Sequence, residues 1–324
     1  MAEISRPIVP HNLPGLVKAA FIRAKASGDL TYYPTQVAVL TPGSLAFQLR
    51  FSPSLAAKPK APKPKDTSAK PFNPFENPSP ALLITRLPPS HNLVLNKFAI
   101  VPEHFILTTK DVKPQTHILE EGDIEATYAC IQAYHAEGQE LFAFFNSGEH
   151  SGASQPHRHL QLLPVERMKD GLEDAERGSE WDVLADRVRG REKVLPFSIL
   201  TASINAEMSP RDRHGAYVAL YKRAVYITLS SRDAPSEGEA KISYNFAMTR
   251  TSMALCPRLA EGAPIATQSG QDAGIVSLNG TLLAGTALVK SQVEWDALRQ
   301  DPDMLLHVLR KIGVTPTEDL DSNL

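Results

Sequence analysis

The sequence predicts an α+β fold built on an antiparallel sheet flanked by helices, and two observations point there. Short strand-like runs separated by Pro, Gly and Ser recur in both halves of the chain, as in ALLIT, HNLVLNKFAIV and HFILTT between 81 and 109, and SYNFAMTR and SMALCPR between 243 and 258. Segments with a helical apolar period lie before, between and after them.

The first of these, LPGLVKAAFIRAKASGD, places Leu16, Ala20, Phe21 and Ala24 on one face, with Pro14 near the first turn and Gly28 past the end. FQLRF (47–51) reads as a strand. The Lys/Pro-rich stretch 58–71 lacks the apolar residues of a packed element, so a mobile loop is expected. A meander follows over 82–109, and then a helix opening at Asp123, carrying Ile124, Tyr128, Ile131 and Tyr134 or His135 as its stripe and ending at Gly138. LFAFF (141–145) and HRHLQLLP (157–164) are strands joined by a loop dense in Gly and Ser. Further on, a helix is expected around Trp181–Val188. Ser209 and Pro210 read as the N-cap and first turn of another that carries Tyr217, Leu220 and Val225. AGIVSLNG is strand-like, TLLAGTALVK is ambiguous between strand and helix, and 292–312 reads as two amphipathic helices.

At 324 residues and 42% hydrophobic composition the chain can bury one large core or two smaller ones. With 34 basic against 36 acidic residues, the net charge of −2 argues against nucleic acid as a partner, so any bound anion must be held locally. Cys130 and Cys256 supply neither a disulfide framework nor a thiolate metal cage, and both are expected as buried, inert thiols. With no signal-peptide core and no apolar run of membrane-spanning length, a cytoplasmic protein is expected, with nuclear entry open.

The chemistry concentrates at 146–161. On a strand, His157, His159 and Gln161 share one face while Leu160 and Leu162 turn to the core. A neutral imidazole attacks phosphorus without a separate base, provided that an acceptor such as a backbone carbonyl holds its far nitrogen. Gly148, Gly152 and Ser154 offer flexible backbone and hydroxyl donors for an anion, and Asn146 and Gln161 add amides. By itself His-x-His leaves three readings open: surface histidines, a metal site completed by His150, and a nucleophile.

The whole string NSGEHSGASQPHRHLQ is far more specific. It closely resembles the active-site segment of the diadenosine tetraphosphate phosphorylases, the fungal-type ATP adenylyltransferases of the histidine-triad superfamily. LNKFAIVPEHFILTTK (95–110), SYNFAMTRTSMALCPR (243–258) and SLNGTLLAGTALVK (277–290) resemble further segments of that family, in its order. The resemblance implies a histidine-triad-like fold with a nucleotidyltransferase region over 1–190. It also implies an ATP adenylyltransferase C-terminal region over 191–324, packed on the same sheet and completing the site. It implies phosphorolysis of diadenosine tetraphosphate through AMP carried on His159, with ATP leaving and phosphate then giving ADP, reversibly, and with sulfate or related anions as further acceptors.

By motif position, His157 supports the nucleophile and Gln161 holds the α-phosphoryl oxygens, while Asn146, Gly152, Ala153, Ser154 and Gln155 line the phosphate track. Asn96 and Lys97 fall at nucleotide contacts; Asn279, Thr286 and Lys290 match positions touching the far part of the dinucleotide; Lys58 matches an early phosphate-binding lysine. No cofactor is implied, and Mg²⁺ enters at most as a stimulant. Partners are the dinucleotide, ATP, ADP and phosphate, with no membrane. Gln161 stands where the superfamily's hydrolases carry a third histidine, which looks like the transferase branch. A hexose-1-phosphate uridylyltransferase-like enzyme or a dinucleotide hydrolase is the nearest alternative, and a metal-dependent His-x-His enzyme or a non-catalytic nucleotide-binding module the more distant one.

Overall fold

The computed structural model describes residues 7–43, 45–54, 73–172, 181–190 and 195–316. Lys58 and the expected mobile stretch 58–71 lie outside the described residues.

Helix α1 (Leu13–Ser27) opens with Pro14 in its first turn and stops at Gly28, whose φ of 79° is the left-handed conformation that glycine adopts without strain. Its buried stripe runs through Leu13, Val17, Ala20, Phe21 and Ala24. Leu16, expected on that face, is only half-buried, because the stripe is set by Leu13 and Val17.

Strands β1 (Thr31–Tyr32), β2 (Gln36–Leu40) and β3 (Phe47–Phe51) follow, of which only β3 is legible in the sequence. The meander consists of β4 (Leu83–Leu87), β5 (His91–Leu95), a short β6 (Phe98–Ala99) and β7 (Phe105–Thr109). Helix α2 (Glu121–Ala136) starts two residues earlier than the sequence suggests. Asp123 is not its first residue but its third, where its side chain completes a capping box with Glu120.

Strands β8 (Leu141–Ser147) and β9 (His159–Pro164) flank the Gly/Ser loop, and the short helices α3 (Val165–Met168) and α4 (Leu184–Arg187) come next. The helix expected over Trp181–Val188 shrinks to α4, since Trp181 instead donates its indole N–H to the Gly285 carbonyl at 3.0 Å. Strand β10 (Leu200–Ser203) precedes α5 (Pro210–Leu229), which Ser209 caps through Asp212 N–H as expected. The chain then forms β11 (Ser243–Met248), β12 (Ser252–Arg258), β13 (Gly262–Ala266) and β14 (Asp272–Ser277). The ambiguous TLLAGTALVK splits into a 3₁₀ turn (Gly280–Ala284) and strand β15 (Thr286–Val289), ahead of helices α6 (Gln292–Gln300) and α7 (Met304–Ile312).

The organising element is an eight-stranded antiparallel sheet in the order β10-β12-β11-β8-β9-β7-β5-β4. Side chains alternate across it as the two-residue period of a strand requires. Phe105 and Leu107, Ala143 and Phe145, Leu160 and Leu162, and Tyr244 and Phe246 join α1, α2 and α5 in one core. On the opposite face Phe142, Phe144, Leu163 and Ala247 pack with α4, the 3₁₀ turn, and the three-stranded sheet β15-β3-β2 with α6 and α7. His159 and Gln161 point to this second face by the same alternation. Cys130 and Cys256 are both buried and free. No helix among the described residues is long and apolar enough to cross a membrane.

Candidate active site

The site is built where β9 leaves the Gly/Ser loop. Residues 113–115 run beside 156–158: Gln115 N–H donates to the Pro156 carbonyl at 2.8 Å and Arg158 N–H to Lys113 at 2.7 Å. The Gln115 side chain then clamps His159, accepting its backbone N–H at 2.8 Å and donating to its carbonyl at 3.2 Å and to that of Asn146 at 2.8 Å. One buried amide thereby fixes the nucleophile candidate relative to β8.

Within the His159 ring, Nδ1 lies 2.8 Å from the carbonyl of His157. A carbonyl only accepts, so Nδ1 carries the proton and Nε2 the lone pair. Burial is the main cause that pushes the ring down to about 4, opposed by the His157 carbonyl bond, with the His157 ring pushing it down further. His159 is therefore neutral and nucleophilic near neutral pH. Phe75 lies over it with ring centres 5.0 Å apart and meets the His157 ring edge-on at 5.9 Å.

The His157 ring is itself oriented by Nε2–H donating to the Thr109 carbonyl at 2.9 Å, leaving Nδ1 to accept from Asn73 Nδ2 at 2.9 Å. The Asn73 amide cannot turn over freely, because its Oδ1 accepts the Phe75 N–H at 3.0 Å. His157 thus serves His159 through its carbonyl while its ring anchors the strand to residues 73–75 and to β7. Burial lowers its pKa.

Asn146, at the end of β8, accepts through Oδ1 from Asn245 Nδ2 at 2.9 Å and from the Gly280 N–H at 2.8 Å. Asn245 is held in turn by Arg258, a buried guanidinium whose second terminal nitrogen, Nη2, meets the carbonyls of Ala260, Glu261 and Leu278. This chain brings 278–280 against the loop: a Cβ on Gly152, whose φ is 77°, would stand 2.8 Å from the Asn279 Cβ. Ala153 and Ser154 are exposed on the loop's rim, and Gln155 and Gln161 are half-buried.

The sequence-derived residues therefore fall into two groups. His157, His159, Gln161, Asn146, Gly152 and Asn279 converge on one cluster. Thr286 is buried at the start of β15, in the three-stranded sheet, with no hydrogen-bond partner for its hydroxyl among the described residues. Lys97 and Lys290 are exposed, and the Asn96 side chain is engaged internally, with Phe98 N–H at 3.0 Å and His104 Nδ1 at 3.1 Å. Among the described residues no three His, Cys, Asp or Glu side chains form a group that could hold a metal ion.

Asn73, Phe75, His104, Gln115, Asn245 and Arg258 escape the sequence reading. His104, Asn245 and Arg258 sit inside segments that carried the resemblance, and Asn73 and Phe75 belong to an Asn-x-Phe turn that recurs at Asn96–Phe98, a signal legible as a pair of like turns.

Comparison with known proteins gives the family. The Ap4A phosphorylase N-terminal domain matches residues 3–174, more than half of the chain, and the ATP adenylyltransferase C-terminal domain matches residues 193–315. The chain belongs to the Ap4A phosphorylase family. It is a nucleotidyltransferase. Diadenosine 5',5'''-P1,P4-tetraphosphate phosphorylase 2 of Saccharomyces cerevisiae is 26% identical to this family member over 332 residues, covering 96% of this chain and 97% of the relative. Protein APA1 of the same yeast is 23% identical over 338 residues, covering 97% and 98%. The crystal structure of yeast Ap4A phosphorylase Apa2 shares the fold, with a TM-score of 0.75 at 24% identity over 96% of this chain and 97% of that one. Apa2 in complex with Ap4A gives 0.74 at 23% identity, over 96% and 100%.

Proposed function

We propose that this nucleotidyltransferase phosphorolyses diadenosine tetraphosphate to ATP and ADP, reversibly, through AMP carried on His159. The observation that supports this most is the Nδ1–H bond from His159 to the His157 carbonyl, which commits the Nε2 lone pair to attack. In the first step Nε2 bonds to the α-phosphorus and the bond to the bridging oxygen breaks, releasing ATP. The carbonyl of His157 supports the positive charge that develops on the ring. In the second step an oxygen of inorganic phosphate attacks the same phosphorus, the P–N bond breaks, and ADP leaves with His159 neutral again.

Gln161 and the Gly152–Gln155 loop carry the phosphoryl oxygens in this reading, as donors placed where charge spreads. Lys58, Lys97 and Lys290 supply positive charge along the polyphosphate, and Asn96, Asn279 and Thr286 border the nucleosides. Phosphate is favoured over water because it arrives as an anion ready to attack, whereas water must lose a proton and Gln161 cannot accept one. No resident cofactor is required, Mg²⁺ acting at most as a stimulant that travels with the polyphosphate. Two buried thiols suit a cytoplasmic setting.

The test is chromatography of the products from diadenosine tetraphosphate over a phosphate titration, with mass spectrometry of the protein when phosphate is left out. ATP plus ADP, little AMP, and an adenylylated His159 are expected. The His159→Ala variant should bind nucleotide and lose turnover. Mainly AMP plus ATP at saturating phosphate, or turnover of His159→Ala within about tenfold of wild type (roughly 1.4 kcal/mol of barrier), would overturn the reading.

A further inference from the structure

Beside the cluster lies a buried histidine with no role in the proposed chemistry. Glu103, at the turn before β7, has φ 62°, a conformation that non-glycine residues rarely adopt, and its carboxylate accepts from Arg167 Nε at 3.0 Å. That turn delivers His104, only 5% exposed, to the face of the sheet that bears Gln161. The register pairs Ile106 with Gln161 and Phe105 with Leu162, so His104 stands diagonally from Gln161. Among the described residues no group meets His104 Nε2 at hydrogen-bonding geometry, and the Gln161 side chain is the influence that raises the ring's pKa against burial. Burial, the larger influence, pushes the ring down to about 3 and keeps it neutral.

We infer that His104 is a positioning residue that fixes which end of the Gln161 amide faces the α-phosphoryl group. The order of donors starts at a backbone N–H, which cannot invert. Phe98 N–H donates to Asn96 Oδ1 at 3.0 Å, so Asn96 turns its Nδ2 to His104 Nδ1 at 3.1 Å. A neutral ring accepting at Nδ1 must carry its proton on Nε2. That N–H calls for an acceptor, which Gln161 supplies with Oε1, leaving its NH₂ for the phosphoryl oxygens. The inverted amide would set donor against donor at His104 and an oxygen against the phosphate. Asn73 acts on His157 through the same Asn-x-Phe geometry, with Phe75 N–H at 3.0 Å and the ring Nδ1 at 2.9 Å, so the device occurs twice around this site. The unpartnered Nε2 position is of the kind that closes onto its acceptor when substrate loads. This inference rests on the proposed role of Gln161 as a phosphoryl donor.

The test compares His104→Phe, His104→Gln, Gln161→Ala and the double variant His104→Phe/Gln161→Ala in phosphorolysis of diadenosine tetraphosphate. His104→Phe should lower kcat by about tenfold or more with KM within about twofold, because the Gln161 contact strengthens in the transition state. His104→Gln, which keeps a donor at the Nε2 position, should restore most of that loss. The double variant should be no slower than Gln161→Ala alone. Independent, multiplying losses overturn the inference, and so does full-speed His104→Phe beside a slow Gln161→Ala, which leaves the role of Gln161 standing. A wild-type rate in Gln161→Ala overturns both. Histidine ¹⁵N spectra of the wild-type protein give a readout free of any folding defect: His104 should be the Nε2–H tautomer at neutral pH, and an Nδ1–H or charged ring refutes the relay.

Discussion

At the scale of single residues, the site turns on which nitrogen of each ring holds a proton. His159 is protonated on Nδ1 because its nearest partner is a carbonyl, and His157 on Nε2 because its partner there is the Thr109 carbonyl. Phe75 packs against the His159 ring, and burial is the main cause that pushes the ring's pKa down to about 4. Phe75→Ala should therefore move the His159 pKa up toward its ordinary value. Because the neutral ring attacks, activity falls as pH drops through that pKa, so the acid limb of kcat/KM should shift to higher pH in the variant. A pH–rate profile checks this, and an unmoved limb would show that Phe75 does not govern solvation of the ring. The sequence shows His157, His159 and Gln161 plainly, because they keep a two-residue period, although the strand expected over 157–164 begins only at His159 and His157 lies just ahead of it in an isolated bridge with Pro114. Phe75, His104 and Gln115 reach the same place from other segments, and neither the Asn-x-Phe turn at Phe75 nor the 95–110 segment around His104 shows that they meet β9, since their value lies in contacts that only the folded chain makes.

At the scale of elements, strand β9 is held from behind by helix α2. Arg158, between the two histidines, turns to the helix side and donates to Asp123 at 2.8 Å and to Glu120 at 2.8 Å. Asp123 also meets His91 Nε2 at 2.9 Å. Burial alone would raise the Asp123 carboxyl, but the His91 bond and the Arg158 charge outweigh it and hold its pKa below the usual carboxylate range. Reading Asp123 as the first helical residue misses this, because the residue pattern does not reveal that its side chain faces inward. Removing one partner of a buried ion pair leaves the other uncompensated, at a cost of about 3–5 kcal/mol. Asp123→Ala should lose stability on that scale in urea unfolding, whereas a loss under about 1 kcal/mol would mean that Arg158 finds another partner.

At the scale of the whole molecule, the amphipathic end helices and both strand groups are legible, but their assembly into one sheet is not. Strand pairing across the chain leaves no periodic trace. The C-terminal region supplies β10, β11 and β12 to the eight-stranded sheet rather than only packing on it. The pairing that joins the two regions is β8 with β11, where Phe145 meets Phe246 and Asn146 meets Asn245 across the ladder. Cutting the chain after 190 would strip β8 of that neighbour, leaving a buried row of backbone donors and acceptors as an open edge. It would also uncover Phe142, Phe144 and Phe145, which are buried in the intact chain. Residues 1–190 expressed alone should therefore aggregate or melt without a cooperative transition, and co-expression with 191–324 should restore a soluble complex in which β8 and β11 pair again. Thermal melts and size-exclusion chromatography of the fragment decide it. A monomeric 1–190 fragment with a sharp cooperative melt would mean that the N-terminal region closes its own sheet edge and that the two regions are independent folding units.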